Sequence, residues 1–178
     1  MTEARTGAHR IRAIDPRSPA EVEVELVASR MRQTLVEVLG EKVGGNMYTM
    51  DWLIQRVLWH LDPNQCVGQV FLSEDSEGHI TGHTIVRIQL DEAGKEIGLF
   101  STFFVEPGSR NQTIATSFVV HGEKWMMDHG MTTAVTYTAE SNDKLKNLLL
   151  SLGYQIVAAQ NEMIALSKSL IRHRTECP

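Results

Sequence analysis

The stretch Val105-Glu106-Pro107-Gly108-Ser109-Arg110-Asn111-Gln112-Thr113-Ile114-Ala115 constrains this chain more than any other. It follows an apolar, β-rich run, Ile97-Gly98-Leu99-Phe100-Ser101-Thr102-Phe103-Phe104. It also opens a long amphipathic segment that sets Ile114, Phe118, Val119, Trp125 and Met126 on one face. A strand that breaks at a Pro-Gly turn and re-enters the fold as a helix presents free backbone N–H groups at the helix start. Those donors and the helix dipole make an anion site. Arg110 stands at its mouth with a forked donor set suited to phosphate. An ordinary strand–turn–helix connection with a solvated arginine has the same local pattern, and spacing alone does not separate the two.

The 178 residues are enough for one domain with a substantial core. A formal charge of −5 argues against a general nucleic-acid binder, which would carry a basic stripe. No apolar run reaches membrane-spanning length, and Met1-Thr2-Glu3-Ala4-Arg5 carries no apolar signal region. Cys66 and Cys177 lie far apart without a C-x-x-C partner, which reads as two free thiols in a reducing, cytoplasmic setting. The histidines show no metal-ligand spacing, so no metal is expected.

Residues 1–9 read as loosely ordered, 10–170 as a single domain and 171–178 as a tail. Arg10 to Ile14 reads as an edge strand. Ser18-Pro19-Ala20-Glu21 fits a capping box, and Val27, Met31, Leu35 and Val38 then recur at helical spacing up to Gly40. Glu41 to Met47 reads as a flexible connection, and a second helix starting near Thr49 carries Leu53, Val57 and Leu61. A three-strand meander follows from Val67 to Val105. Its middle strand sets Thr84, Val86, Ile88 and Leu90 on one face and His83, Ile85, Arg87 and Gln89 on the other. After the long helix come a β-branched strand from Met131 to Thr138 and a helix capped at Ser141-Asn142-Asp143. A final hairpin runs from Tyr154 to Ser167. The order is β-α-α-β-β-β-α-β-α-β-β, an α/β chain with a mixed sheet.

That order resembles the GNAT superfamily, the CoA-dependent N-acetyltransferases, over roughly Pro16 to Leu170. Val-x-Pro-x-x-Arg before the long helix is similar to the start of the family's acyl-CoA motif. Arg110-Asn111-Gln112-Thr113-Ile114-Ala115 occupies the place of its Arg/Gln-x-x-Gly-x-Gly/Ala. Asn142 precedes Gly153-Tyr154 by eleven residues, like the family's Asn before a helix ending in Gly-Phe or Gly-Tyr. The resemblance implies a mixed, mainly antiparallel sheet flanked by about four helices, with a splayed central strand pair. It implies acetyl-CoA as co-substrate. Phe103, Phe104 and Val105 would bond the pantetheine arm through the main chain, Arg110 through Thr116 would cradle the pyrophosphate, and Asn142 would stand near the thiol. Of that cradle, Thr113 and Asn111 stand where the family commonly has Gly, but both carry side chains able to bond phosphate.

Transfer to an amine needs a proton removed, an oxyanion held and a thiolate protonated. Many members protonate the thiolate with a Tyr seven residues after the Asn; here that position is Leu149. Polyamine-type members carry a carboxylate where this chain has Ser101, beside Thr102. The candidates left are Ser101 as holder of a relay water, Tyr137 as proton donor and His83 as a group able to titrate near neutrality. Trp52, Trp59 and His60 fall where the family often walls its acceptor pocket, though a plain core role suits the tryptophans better. The expected activity is acetyl transfer to the primary amine of a small molecule or peptide by direct attack in a ternary complex. The alternative is a non-catalytic acyl-CoA-binding sensor or interaction module. Neither nucleic acid nor membrane is an expected partner, and exposed sheet-edge strands allow a homodimer.

Overall fold

The structure is a computed structural model that describes residues 9–110 and 112–171. The expectations for residues 1–8, Asn111, Cys177 and the tail beyond Ile171 lie outside the described residues, as does the side chain of Gln112. The elements are β1 (Arg10–Ala13), α1 (Glu21–Leu39), α2 (Glu41–Gly44), α3 (Met50–Leu61), β2 (Gly68–Glu74), β3 (Ile80–Leu90) and β4 (Glu96–Val105). A 3-10 turn (Pro107–Ser109) leads to α4 (Gln112–Asp128), β5 (Thr133–Ala139), α5 (Asp143–Ser151), β6 (Gln155–Gln160) and β7 (Met163–Ser169). The strands form one sheet in the order β1-β2-β3-β4-β5-β7-β6, in which β4 and β5 are the parallel pair. This is the mixed, mainly antiparallel α/β sheet expected.

The alternation along β3 divides the core. Val86 packs with Phe100, Ile114, Phe118 and Met126 under α4, together with Leu149 of α5. Ile85 packs with Val24, Val27, Leu53 and Val57 under α1 and α3. Burying such side chains contributes roughly 1.5–3 kcal/mol each, and the pattern leaves the sheet one stable way to face its helices. The α4 side is the closer fit. A Cβ on Gly122 would stand 2.2 Å from Cε1 of Phe100, and one on Gly98 would stand 2.4 Å from Met126 Sδ.

Three local expectations are corrected. The capping box at Ser18 does not form: Ala20 precedes α1 without a side-chain cap. Asp15 takes the nearby donors instead, its main-chain oxygen bonding Ser18 N–H (3.2 Å) and its carboxylate bonding Arg17 N–H (2.9 Å). The apolar face of α1 is buried only in its first half, at Val24, Val27 and Ala28, and Val38 is exposed because the helix runs past the packed core. The connection after Gly40 contains the one-turn helix α2, whose Gly44 lies so close to α1 that a Cβ would stand 2.1 Å from the Leu35 carbonyl oxygen. Elsewhere the termini are as read: Thr49 Oγ1 caps α3 by accepting from Trp52 N–H (3.1 Å), and Gly130 and Gly153 take the left-handed φ that ends α4 and α5.

Gly122→Ala tests the α4 fit. Alanine favours a helix by about 1 kcal/mol over glycine, whereas forcing a methyl against Phe100 costs about 1–3 kcal/mol. Net destabilisation is expected, seen as a lower thermal midpoint; a raised midpoint would show that helix and sheet are not in tight contact.

Candidate active site

The β4–β5 ladder holds only three pairs, Gly98↔Ala134, Leu99↔Val135 and Phe100↔Thr136. Beyond them β5 continues against β7 as far as Ala139↔Met163, while β4 follows β3 to Gly82↔Val105. The register against β3 slips at the same level. Ile85 pairs with Thr102 and Val86 with Phe100, so Ser101 is the extra residue of a bulge. A bulge bends its strand and sharpens the local twist, which opens a fork with Ser101 at the apex. It also brings Phe100 and Phe103 into a stack at 5.0 Å. Thr136 Oγ1 closes the apex by donating to the Phe100 carbonyl (3.2 Å).

Glu106 N–H donates to the Thr81 carbonyl on the β3 side (2.8 Å). By the alternation of an antiparallel ladder, the main-chain groups of Phe104 face β3, and those of Phe103 and Val105 face the fork. Phe104 is therefore corrected as a main-chain ligand: its peptide groups belong to the β3 ladder and its ring is buried. Ser101 Oγ and Thr102 Oγ1 are both buried at the apex without a hydrogen-bond partner among the described residues.

At the open end, the 3-10 turn delivers the chain to Arg110 and the first turn of α4. Arg110 is not free in solvent. Its Nε–H donates to the Val105 carbonyl (2.9 Å), and Nη2 meets both carboxylate oxygens of Glu37 on α1 at 3.0 Å. A second pair ties the same two elements: Arg30 of α1, itself buried, bonds Glu106 and donates to the Ile80 carbonyl (2.6 Å). Sequence reading missed both pairs, although Arg30 and Glu37 are seven apart and Glu106 and Arg110 four apart, with complementary signs. In the first turn of α4, Ile114 is wholly buried and offers only its main chain. Thr113 is exposed, and Ala115 and Thr116 are half-buried.

Asn142 caps α5 as expected. Its Oδ1 accepts from Leu145 N–H (3.4 Å) and its Nδ2 donates to Thr138 Oγ1 (3.1 Å), which fixes it on the β5 arm of the fork. Leu149 is wholly buried in the core under α4. Tyr154 is structural: its hydroxyl donates to Glu123 of α4 (2.9 Å), which also takes Lys168 of β7 (2.9 Å), and burial beside that carboxylate raises its pKa. Tyr137 follows the last β4–β5 pair. Its strand neighbour two back, Val135, packs with Ile97 and Leu99 on the sheet face away from α4. Tyr137 points to that same face and is 53% exposed.

His83 is removed from the list of catalytic groups. It is wholly buried, stacked on Phe104 at 5.8 Å, and neither ring nitrogen has a partner among the described residues. Burial, helped by the nearby Arg30 charge, pushes its pKa down to about 3, so it is neutral at physiological pH and out of contact with solvent. His60 is likewise buried and pushed down to about 4 by desolvation and the charges of Arg56 and Arg87. Trp52 is exposed and stacks on Tyr48 at 4.0 Å. A groove of about 460 Å³ is lined by Pro16, Pro19, Leu58, Trp59, Asp62 and Gln65, none of them on the fork or on α4.

A strand edge opened beside a helix N-terminus, with orphaned hydroxyls at its apex, fits a long ligand that pairs as an extra strand and ends in an anion. The sequence model of the acetyltransferase (GNAT) family matches residues 31–154. The chain belongs to this family, whose members use acetyl-CoA as co-substrate. Among solved structures, the PaiA N-acetyltransferase of Thermoplasma acidophilum in complex with coenzyme A is similar at a TM-score of 0.69 and 13% identity, over 91% of this chain and 99% of that one. A GNAT-family acetyltransferase of Listeria monocytogenes gives a TM-score of 0.64 at 14% identity, over 94% and 98%. Aminoglycoside 6'-acetyltransferase type Ii gives 0.65 at 18%, over 92% and 99%. At these identities the likeness is one of fold. No curated protein matches the sequence significantly.

The histidines give a pH test. His83 has a folded pKa of about 3 against 6.5 when unfolded, so the unfolded chain takes up its proton first and stability falls as pH drops from 6.5 toward 3. Between about pH 7 and pH 5 this amounts to roughly 2 kcal/mol. His83→Leu is expected to flatten that slope in urea unfolding; an unchanged slope would place the titration elsewhere.

Proposed function

We propose that this protein transfers an acetyl group from acetyl-CoA to a primary amine by direct attack in a ternary complex. The observation that carries the reading is the three-pair β4–β5 ladder opening beside the start of α4. Phe103 and Val105 offer main-chain groups along the fork for the pantetheine arm. Arg110 and the N-terminal end of α4 face the place of the pyrophosphate. Asn142 bounds the thiol end from the β5 arm. When bound, acetyl-CoA supplies a thioester carbonyl and a thiol leaving group.

The chain's own residues divide the remaining work. A main-chain N–H of the Phe103–Val105 stretch faces the fork and is the donor for a developing oxyanion. Ser101 and Thr102 present hydroxyls with no other partner, suited to hold the water that takes the amine proton. Tyr137, on the opposite arm and open to the α1/α3 face, is the proton donor to the leaving thiolate, in place of the buried Leu149. Close positioning and loss of solvent supply much of the rate, because an amine of lowered pKa needs little base help. The free thiol of Cys66 fits a reducing, cytoplasmic setting, and the exposed edge strand β6 fits pairing with a second copy.

The test is release of free thiol from acetyl-CoA across a panel of amines. Turnover with any of them supports the enzyme. Saturable CoA binding without turnover favours the non-catalytic sensor, a reading motivated by the buried leucine at position 149. Tyr137→Phe is expected to lower kcat about a hundredfold with CoA affinity unchanged, and an unaltered kcat rejects its role. Arg110→Glu sets a second carboxylate against Glu37 and against the pyrophosphate, and calorimetry is expected to show CoA affinity reduced at least about tenfold. Equal affinity would displace the anion site from the start of α4.

A further inference from the structure

Most arginines packed against this sheet have an acidic partner: Arg12 has Glu23 and Glu74, Arg30 has Glu106, and Arg110 has Glu37. Arg56 of α3 and Arg87 of β3 do not. Both set their guanidinium carbons over the Trp59 ring, 4.2 and 5.5 Å from its centroid, and neither forms an ion pair among the described residues. Arg87 donates through Nη2 to Gln89 Oε1 (3.0 Å), while its Nε is buried without a partner. His60 adds a third orphan. It is 2% exposed, its Nδ1–H donates to the Arg56 carbonyl (2.7 Å), and its Nε2 meets no partner. The charges felt by His60 and by the Cys66 thiol are those of Arg56 and Arg87, both positive. In a chain of net charge −5, Arg56 and Arg87 form a partly buried cationic pair with no acidic partner among the described residues.

Its position gives the cluster a use. Arg87 is the ladder partner of Leu99, one residue short of the last β4–β5 pair at Phe100↔Thr136. One strand spacing, about 4.8 Å, therefore separates its backbone from β4 just below the apex of the fork. Arg87 alternates with Ile85 onto the α1/α3 face, the face to which Tyr137 is exposed. The opposite face is filled by α4 and α5, which leaves the face of Arg87 and Tyr137 as the side open to an acceptor.

Building on the acyl-transfer reading, we infer that the acceptor is an amine that also carries a carboxylate, received by Arg56 and Arg87 while the amine stands at the fork. Guanidinium forks match a carboxylate in shape and charge, and Trp59 holds both in place. A polycationic acceptor meets two like charges at the same place.

The experiment compares three N-acetyl products of equal length by calorimetry on the CoA-loaded protein: 5-acetamidopentanoate, N-pentylacetamide and N-acetylcadaverine. None needs turnover to bind. The carboxylate is expected to bind at least about tenfold tighter than the neutral ligand, with the cation weakest. Arg56→Gln and Arg87→Gln are each expected to abolish that preference and leave CoA affinity as it was. Arg56 lies on a helix surface, so its variant tests the site even if Arg87→Gln misfolds. Equal affinities, preference for the cation, no binding of any product, or a preference that survives both substitutions overturns the inference. CoA titrated first keeps the two readings apart: failure of CoA to bind removes the acyl-CoA reading, whereas CoA binding without carboxylate preference removes this one alone.

Discussion

A parallel strand pair that stops after three residues leaves main-chain donors and acceptors on two strands with no partner in the sheet, and the rest of this molecule is arranged around that break. Each buried polar group left unpaired costs about 1–3 kcal/mol, so a fork in the middle of a sheet closes unless something holds it open. Here the Ser101 bulge turns β4 aside, and Thr136 Oγ1 caps the last shared carbonyl at Phe100. Gly122 lets α4 press onto Phe100 directly below the apex, so the strands diverge from a rigid point. A ligand that runs into the fork as an additional strand relieves the cost, and its binding energy is concentrated where the protein is least satisfied.

The charges on α1 support the same geometry at two different strengths. Arg30 is buried, and with Glu106 and the Ile80 carbonyl it fixes the end of β4 against α1; removing Glu106 strands the buried guanidinium. The Arg110–Glu37 pair is 35% and 40% exposed, and pairs of that kind contribute no more than about 1 kcal/mol. One pair is a clamp, whereas the other can be parted at little cost.

Much of this was readable in the chain. The apolar periodicity of β3 assigned its two faces correctly, and Asn142, Gly130 and Gly153 fall at helix termini as their chemistry requires. The junction from Val105 to the start of α4 has the expected strand–turn–helix form because Pro107 and the apolar spacing after Ile114 act locally. What failed depends on tertiary contacts. The cap at Ser18 lost to Asp15, whose carboxylate and carbonyl took the nearby donors. His83 lies on the face that sequence assigned, yet nothing in the sequence says that Phe104 and α1 seal it from solvent. Phe104 was misplaced as a main-chain ligand because a one-residue bulge decides which peptide groups face the fork.

The same bulge bears on where the chemistry can stand. With Leu149 sealed under α4, this position presents an aliphatic side chain and no titratable group to the α4/α5 side of the fork. Tyr137 on β5 and Arg87 on β3 lie on the opposite face, where Arg87 shares the Trp59 ring with Arg56 of α3. The α4/α5 face, by contrast, is filled by the larger core cluster that backs the fork. An aliphatic side chain at position 149 fills the space between α5 and α4 and tightens the packing that keeps the fork rigid.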